Sequence, residues 1–435
     1  MPPASGPVLL LANHANALLD PAIVWATAGR DVRFLAKSTL FSSPLRPLLS
    51  GAGAIPVYRR RDEGVDTSRN AEMFSAVDAA LKEADAVCIF PEGQSHSQGR
   101  LATLRTGAAR IVLAAEGGET RVSLVAVALN FERKTRFRSR VTIAYGTPFH
   151  AGDLVPSSEA GRADAVRMLT DRIAAHMRRL LVEADPGADA RLLDRVDRLY
   201  AAARGRPALP EERLARRRAI AEGIERLRTS DAPRYEGILM RIRRYDQRLR
   251  RFGLRDRHLD IEVSSGDAAR FAAREGLLAL VLGPIALAGL ALFFVPYWLT
   301  ALAARLATNE SDVAASAKVV AGAAIYAAWL AVLVTALWLT MGGAAAAIGA
   351  LVVPPCAVAA LFAIERESAV LDAIGAWLTI RRARTGTKVL RRQRSELADV
   401  LDDVYEWLQS APAASPAARL QVSEQASAPN RSARS

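Results

Sequence analysis

The residues best suited to chemistry begin at Asn13-His14, directly after the apolar run PVLLLA (7–12), with Asp20 six positions beyond His14. An imidazole just past a buried strand can serve as a general base, and a nearby carboxylate fixes its tautomer and stabilises the imidazolium. A separation of six does not align two side chains on one regular helix, so a turn has to bring them together. Each residue also has a plainer use. His14 can be a surface histidine, and Asp20 followed by Pro21 can be a simple helix N-cap.

Three more clusters follow in order. Lys37 precedes the run Gly53 to Arg59 (GAIPVYR), and an arginine at a strand end can hold a phosphate through paired hydrogen bonds, although Arg59, Arg60 and Arg61 also read as an ordinary solvated run. The run Phe90 to Ser97 (FPEGQSHS) ends an apolar stretch in Pro-Glu-Gly. It exposes a carboxylate and backbone N–H groups that suit a polar substrate or an anion. His96 there reads as a hydrogen-bonding partner within the loop sooner than as a second base. The last cluster, Leu104 to Arg110 (LRTGAAR), leads into a helix whose N-terminus can receive an anion or can be a helix start and nothing more.

Positioning these groups requires a sheet. Apolar runs at Pro7–Ala12, Val32–Ala36, Ala54–Tyr58, Ala86–Phe90, Ser123–Asn130 and Val141–Tyr145 read as strands. Helical patterns cover Pro21–Thr27, Thr67–Glu83, with Ala71, Phe74, Val77 and Leu81 on one face, and Gly107–Ala115. Alternating strands and helices predict a mostly parallel α/β domain over residues 1–152, with the four clusters at the carboxyl ends of its strands.

Half of the 435 residues (51%) are hydrophobic and 24% are charged, but the two kinds are segregated. Residues 153–275 read as an arginine-rich helical linker interrupted at Pro186, Pro207 and Pro233, with no chemistry of its own. Residues 276–365 form a nearly uncharged transmembrane or re-entrant region. Within it, Val319–Met341 and Ala344–Ile364 suit a membrane hairpin, and Leu277–Ala304 contains Pro284 and Pro296. Residues 366–410 read as a basic helical tail, and 411–435 as a disordered Ala/Pro/Ser/Arg tail.

Between Arg366 and Arg394, eight basic residues stand against two acidic ones. The positive-inside rule puts that tail in the cytoplasm. The catalytic domain is expected on the same side, at the cell membrane, which calls for an even number of crossings where simple counting gives three. No signal-peptide pattern opens the sequence, and its abrupt strand start leaves room for an upstream segment. The net charge of +13 suits anionic lipid or nucleic acid. Nucleic acid is disfavoured, since no zinc-ligand pattern, RNA-binding signature or basic helix leading into heptads is present. Cys88 and Cys356 read as small buried hydrophobes, and no metal site is implied.

Taken together, the four clusters between Pro7 and Phe149 resemble the four-motif pattern of the glycerophospholipid acyltransferase family. Asn13 to Pro21 is similar to the subgroup pattern N-H-x-N-x-x-x-D-P, and Phe90 to His96 to F-P-E-G-x-S-H, found in glycerol-3-phosphate and dihydroxyacetone-phosphate acyltransferases. The commonest members have four residues between His and Asp, where five stand here, and carry Arg in place of Ser95. They also carry proline in place of Ala126. The resemblance implies His14 as base and Asp20 as its orienting partner. It assigns substrate binding to Asn13, Asn16, Lys37, Arg59, Glu92, Gly93, Ser95, His96 and Arg105, with Arg59 on the acceptor's phosphate. The implied reaction moves an acyl group from acyl-CoA or acyl-carrier protein to lysophosphatidate or glycerol 3-phosphate, with membrane lipids as partners and no cofactor. A non-catalytic membrane scaffold or lipid-binding protein is the alternative.

Overall fold

The computed structural model describes residues 1–42, 46–58, 70–96, 98–117, 120–132, 139–156, 158–184, 188–205, 209–260, 265–307, 314–358, 362, 379–380 and 384–410. Its N-terminal part is a six-stranded sheet, β1 (Val8–Ala12), β2 (Val32–Lys37), β3 (Ile55–Val57), β4 (Ala86–Ile89), β5 (Ser123–Phe131) and β6 (Val141–Tyr145). The strand order is β3-β2-β4-β1-β5-β6. The first five strands are mutually parallel, and β6 runs antiparallel along the edge of β5.

β1 is central because every one of its side chains is buried, as a strand covered on both faces demands. Leu9 and Leu11 point to one layer, shared with α3 (Asn70–Lys82), α4 (Gly107–Gly117) and α5 (Arg162–Arg178). Val8, Leu10 and Ala12 point to the other, shared with Val24 and Ala28 at α1 (Leu19–Thr27). A short helix α2 (Arg46–Gly51) leads into β3. The register pairs Leu11 with Ile89, so the carboxyl ends of β1 and β4 emerge side by side. That is where an open parallel sheet presents its ligands.

Three local expectations are corrected. Asp20 is not an N-cap. The helix begins at Leu19 after Leu18, leaving Asp20 in the first turn with its side chain turned back. On α3 the buried stripe is Met73, Val77, Ala80 and Leu81, while Ala71 is exposed. α5 docks Leu169, Ile173 and Met177 into the sheet's own core, so the α/β unit continues beyond residue 152.

The arginine-rich stretch forms α6 (Ala188–Arg204), α7 (Pro210–Ser230) and α8 (Ala232–Arg251). α7 and α8 part at Asp231, whose side chain caps α8 by accepting from Arg234 N at 3.1 Å, with Pro233 in the first turn. The helix α12 (Arg384–Ser410) returns from far along the chain to pack on α6, α7 and α8, placing Leu390 and Leu397 beside Leu199, Ile242 and Tyr245. Many arginines here are ion-paired instead of free in solvent. Arg195, for example, lies 2.6 Å from both Asp246 and Asp256.

Between α8 and α12 come α9 (Ser265–Ala307), α10 (Ala314–Met341) and α11 (Gly343–Val358). Among the described residues, only Val319–Met341 is long and apolar enough to cross a bilayer. The apolar stretches Leu287–Ala303 and Gly343–Val358 are shorter. α10 packs on α9, where Trp329 Nε1 donates to Leu292 O at 3.0 Å and Tyr326 stacks on Phe293. A break at Gly342 (φ +88°) then turns the chain into α11.

Candidate active site

The turn after β1 brings the imidazole and carboxylate together. His14 Nδ1 lies 2.9 Å from Asp20 Oδ2, and the same oxygen accepts the backbone N–H of Asn16 at 2.7 Å. Reversing the chain so tightly puts Ala17 in the left-handed region, with φ 40°. A non-glycine residue there carries strain of roughly 1–2 kcal/mol. Asp20 is fully buried, whereas the His14 side chain keeps 14% of its surface exposed. The acid is therefore shielded and the base can be reached. With Nδ1–H donated to the carboxylate, Nε2 is left to accept a proton.

The Pro-Glu-Gly turn after β4 holds this pair from the other side. Glu92 is buried, and its Oε1 accepts the backbone N–H of His14 at 2.7 Å. Its Oε2 meets Ala102 N at 2.9 Å and bonds His96 Nε2. His96 N donates in turn to His14 O at 3.1 Å. Both backbone polar groups of His14 are thus fixed by one loop. Phe90 stacks on the imidazole with ring centroids 4.1 Å apart and planes 19° apart.

Gly93 adopts φ +76°, and a Cβ there would sit 3.1 Å from Arg105 Cγ. The exposed Arg105 therefore lies against the turn, with its own backbone N–H on Pro91 O at 2.7 Å. Gly93 N donates to Phe90 O at 3.0 Å, which closes the turn. Ser95 is half-buried in the same loop.

The other predicted residues fall around this centre in different ways. Asn13 is buried, and its side chain clips β1 to β5. Oδ1 accepts Leu129 N at 2.7 Å and Nδ2 donates to Leu129 O at 3.3 Å. Asn16 is buried and meets Asp20 through its backbone. Lys37 ends β2, two strands from β1 in the sheet. Arg59 lies outside the described residues. The stretch containing it starts from a pinned base, where Tyr58 exchanges hydrogen bonds of 3.1 and 2.8 Å with Asn70. Sequence reasoning missed Phe90 as a wall of the imidazole and Ala102 as a donor to Glu92. An aromatic residue immediately before Pro-Glu-Gly was the one available signal for the first.

Cys88, on β4 beneath the site, is fully buried, and burial followed by the charge of Asp20 pushes its thiol well above the usual range. It is an inert thiol, not a nucleophile.

A base backed by a buried carboxylate at the end of a parallel sheet suits deprotonation of a hydroxyl. Residues 2–130 match the protein family described as Acyltransferase. Residues 2–130 are accordingly an acyltransferase domain. The chain is distantly homologous to the glycerol-3-phosphate O-acyltransferase 2 of Saccharomyces cerevisiae, at 25% identity over 231 residues covering 51% of this chain and 30% of that protein. It is also 26% identical over 268 residues, 59% of this chain and 38% of the relative, to an uncharacterized acyltransferase of Schizosaccharomyces pombe. The match spans roughly a third of the length of these relatives.

Proposed function

We propose that this chain transfers a fatty acyl group from a thioester donor to a hydroxyl of a glycerol-phosphate-type acceptor at a membrane surface. The observation that carries the reading is the 2.9 Å contact between His14 Nδ1 and the fully buried Asp20. In the proposed step, His14 Nε2 takes the acceptor's hydroxyl proton as that oxygen attacks the thioester carbonyl. The tetrahedral intermediate then collapses with cleavage of the C–S bond, and the imidazolium returns its proton to the leaving thiolate. Backbone donors beside the site would stabilise the oxyanion. The acceptor's phosphate would meet Arg105, Lys37 and Arg59. Glycerol 3-phosphate leads among acceptors because the yeast relative carries that name. Lysophosphatidate shares its phosphate chemistry.

The apolar helices support membrane attachment. Trp338, Leu339, Met341 and Leu351 are largely exposed, which water penalises and a bilayer does not. α8 precedes these helices and α12 follows them, yet the two share one bundle. They stand on one side of the membrane, so the crossings between them are even in number. Val319–Met341 in α10 supplies one crossing, and a shorter apolar stretch, Leu287–Ala303 of α9, would have to supply the second, with the catalytic domain and α12 at the cytoplasmic face.

The test is acyl transfer by the full chain in lipid nanodiscs, offering glycerol 3-phosphate and lysophosphatidate in parallel. One or both should be acylated by the wild type, and His14→Ala should lower turnover by about three orders of magnitude or more. Transfer to neither acceptor, or full activity in His14→Ala, would overturn the proposal.

A further inference from the structure

Helices α6, α7, α8 and α12 line a half-open cavity of about 350 Å³. Its walls are mainly aliphatic, with Val196, Ile220, Ile224, Ile238, Leu401 and Val404 facing in. An open cleft with such walls leaves apolar surface in water, which burial by an apolar ligand would relieve. A cavity of roughly 150 Å³ holds benzene, so this one takes an aliphatic chain of roughly a dozen carbons.

Tyr200, Glu212 and Arg216 are among the polar groups of its lining, and Arg216 also lines a second cavity of about 150 Å³ between α6, α7 and the β6 edge. That second space is bordered by five arginines and three carboxylates, an excess of two positive charges. Asp197 and Asp194 engage Arg216 and Arg217 at 2.8 Å. Arg213 contributes a buried Nε that has no hydrogen-bond partner among the described residues. An aliphatic space thus abuts a cationic one that still holds an unfilled donor.

We infer that these adjoining cavities form a binding site for a single-chain anionic amphiphile, its chain among α6, α7, α8 and α12 and its carboxylate or phosphate at Arg213 and Arg216. The bundle leads directly into α9 and receives the chain back after α11, so it stands beside the bilayer that would supply such a ligand. It also touches the catalytic domain. Arg100, in the loop that carries Glu92, pairs at 3.0 Å with Glu225, on the same helix as Ile220 and Ile224. The inference rests on the cavities alone and stands whichever acceptor the domain uses.

The test is photolabelling of the full chain in lipid nanodiscs with a long-chain fatty acid, a lysophosphatidate and a neutral monoacylglycerol, each bearing a diazirine near the chain end. One or both anionic probes should label peptides of α7, α8 or α12, with excess unlabelled fatty acid or lysophosphatidate suppressing the adducts. The stronger probe identifies the source of the head group. Arg213→Gln should weaken anionic labelling roughly tenfold. His14→Ala should leave it unchanged, which separates this result from any failure of acyl transfer. Adducts confined to α9, α10 and α11, or equal labelling of the bundle by the neutral probe, would overturn the inference.

Discussion

Replacing Asp20 with Asn isolates the charge of the buried carboxylate while keeping its shape. Asp20 Oδ2 accepts both from Asn16 N and from His14 Nδ1, and Oδ1 has no hydrogen-bond partner among the described residues. An asparagine can keep its oxygen in the first position and place its N–H2 in the second, so the turn should survive. What disappears is the attraction between a carboxylate and the imidazolium formed as His14 takes its proton. For charge centres about 4 Å apart and an effective permittivity of about 20, that attraction is about 4 kcal/mol. At about 1.4 kcal/mol per factor of ten, turnover should fall by up to about three orders of magnitude. A buried N–H2 without an acceptor costs about 1–3 kcal/mol, offset by removing a buried charge, so the melting midpoint should move little. Release of the donor thiol, followed in nanodiscs with saturating acceptor, measures the rate. A folded Asp20→Asn protein working within about tenfold of the wild type would refute Asp20 as the group that stabilises the imidazolium.

Two further outcomes are expected. Gly93→Ala forces an L side chain into φ +76° and pushes a methyl to 3.1 Å from Arg105 Cγ. Strain of about 1–2 kcal/mol should lower the melting midpoint by a few degrees, and displacement of Arg105 should raise KM for the phosphate-bearing acceptor in steady-state assays. His176 stacks on Phe149 at 3.9 Å, and burial first, then the charges of Arg179 and Arg172, hold its imidazole below the ordinary 6.5. The folded chain therefore binds fewer protons there than the unfolded one. Its contribution to stability is complete above the unfolded value and is lost as pH falls through the lowered folded value. His176→Phe should reduce the drop in melting midpoint between about pH 7 and pH 5.

The strands were legible because parallel strands buried on both faces are continuous apolar runs, and β1, β4 and β5 are of that kind. Asp20 shows where the reading stops. An N-cap and a first-turn residue differ by one position, and sequence does not fix a helix end that finely. Here that one position decides whether the carboxylate caps α1 or turns back to His14. On α3 the buried stripe falls on Met73, Val77, Ala80 and Leu81, so Ala71 lies outside it, and residue type alone does not set that rotation because the equally small Ala80 is buried. The arginine-rich helices looked solvated because the partner covering their apolar stripe lies far along the chain. Leu397 of α12 meets Leu199 of α6, a pairing that no local periodicity contains.

The loop from Glu92 to Arg105 explains why the chemistry cannot be assigned to the matched segment alone. Glu92 holds His14, but the loop is itself held from beyond residue 130. Leu101 N donates to Glu183 Oε1 at 3.0 Å, and Ala184 N donates to Gly99 O at 2.9 Å. Asn130, at the end of β5, grips the same strap by donating to Leu180 O at 3.1 Å and accepting from Val182 N at 2.8 Å. Just before the strap, α5 buries Leu169, Ile173 and Met177 against the face of the sheet that carries Leu9, Val87 and Leu124. Burying three such side chains contributes roughly 1.5–3 kcal/mol each, a total comparable with the whole stability of many domains. The unit that positions the imidazole, carboxylate and Pro-Glu-Gly turn therefore extends through residue 184. Its loop then meets α7 through Arg100 and Glu225. Movement of the bundle around an amphiphile would consequently reach the loop that fixes His14 through one ion pair and one strap of chain.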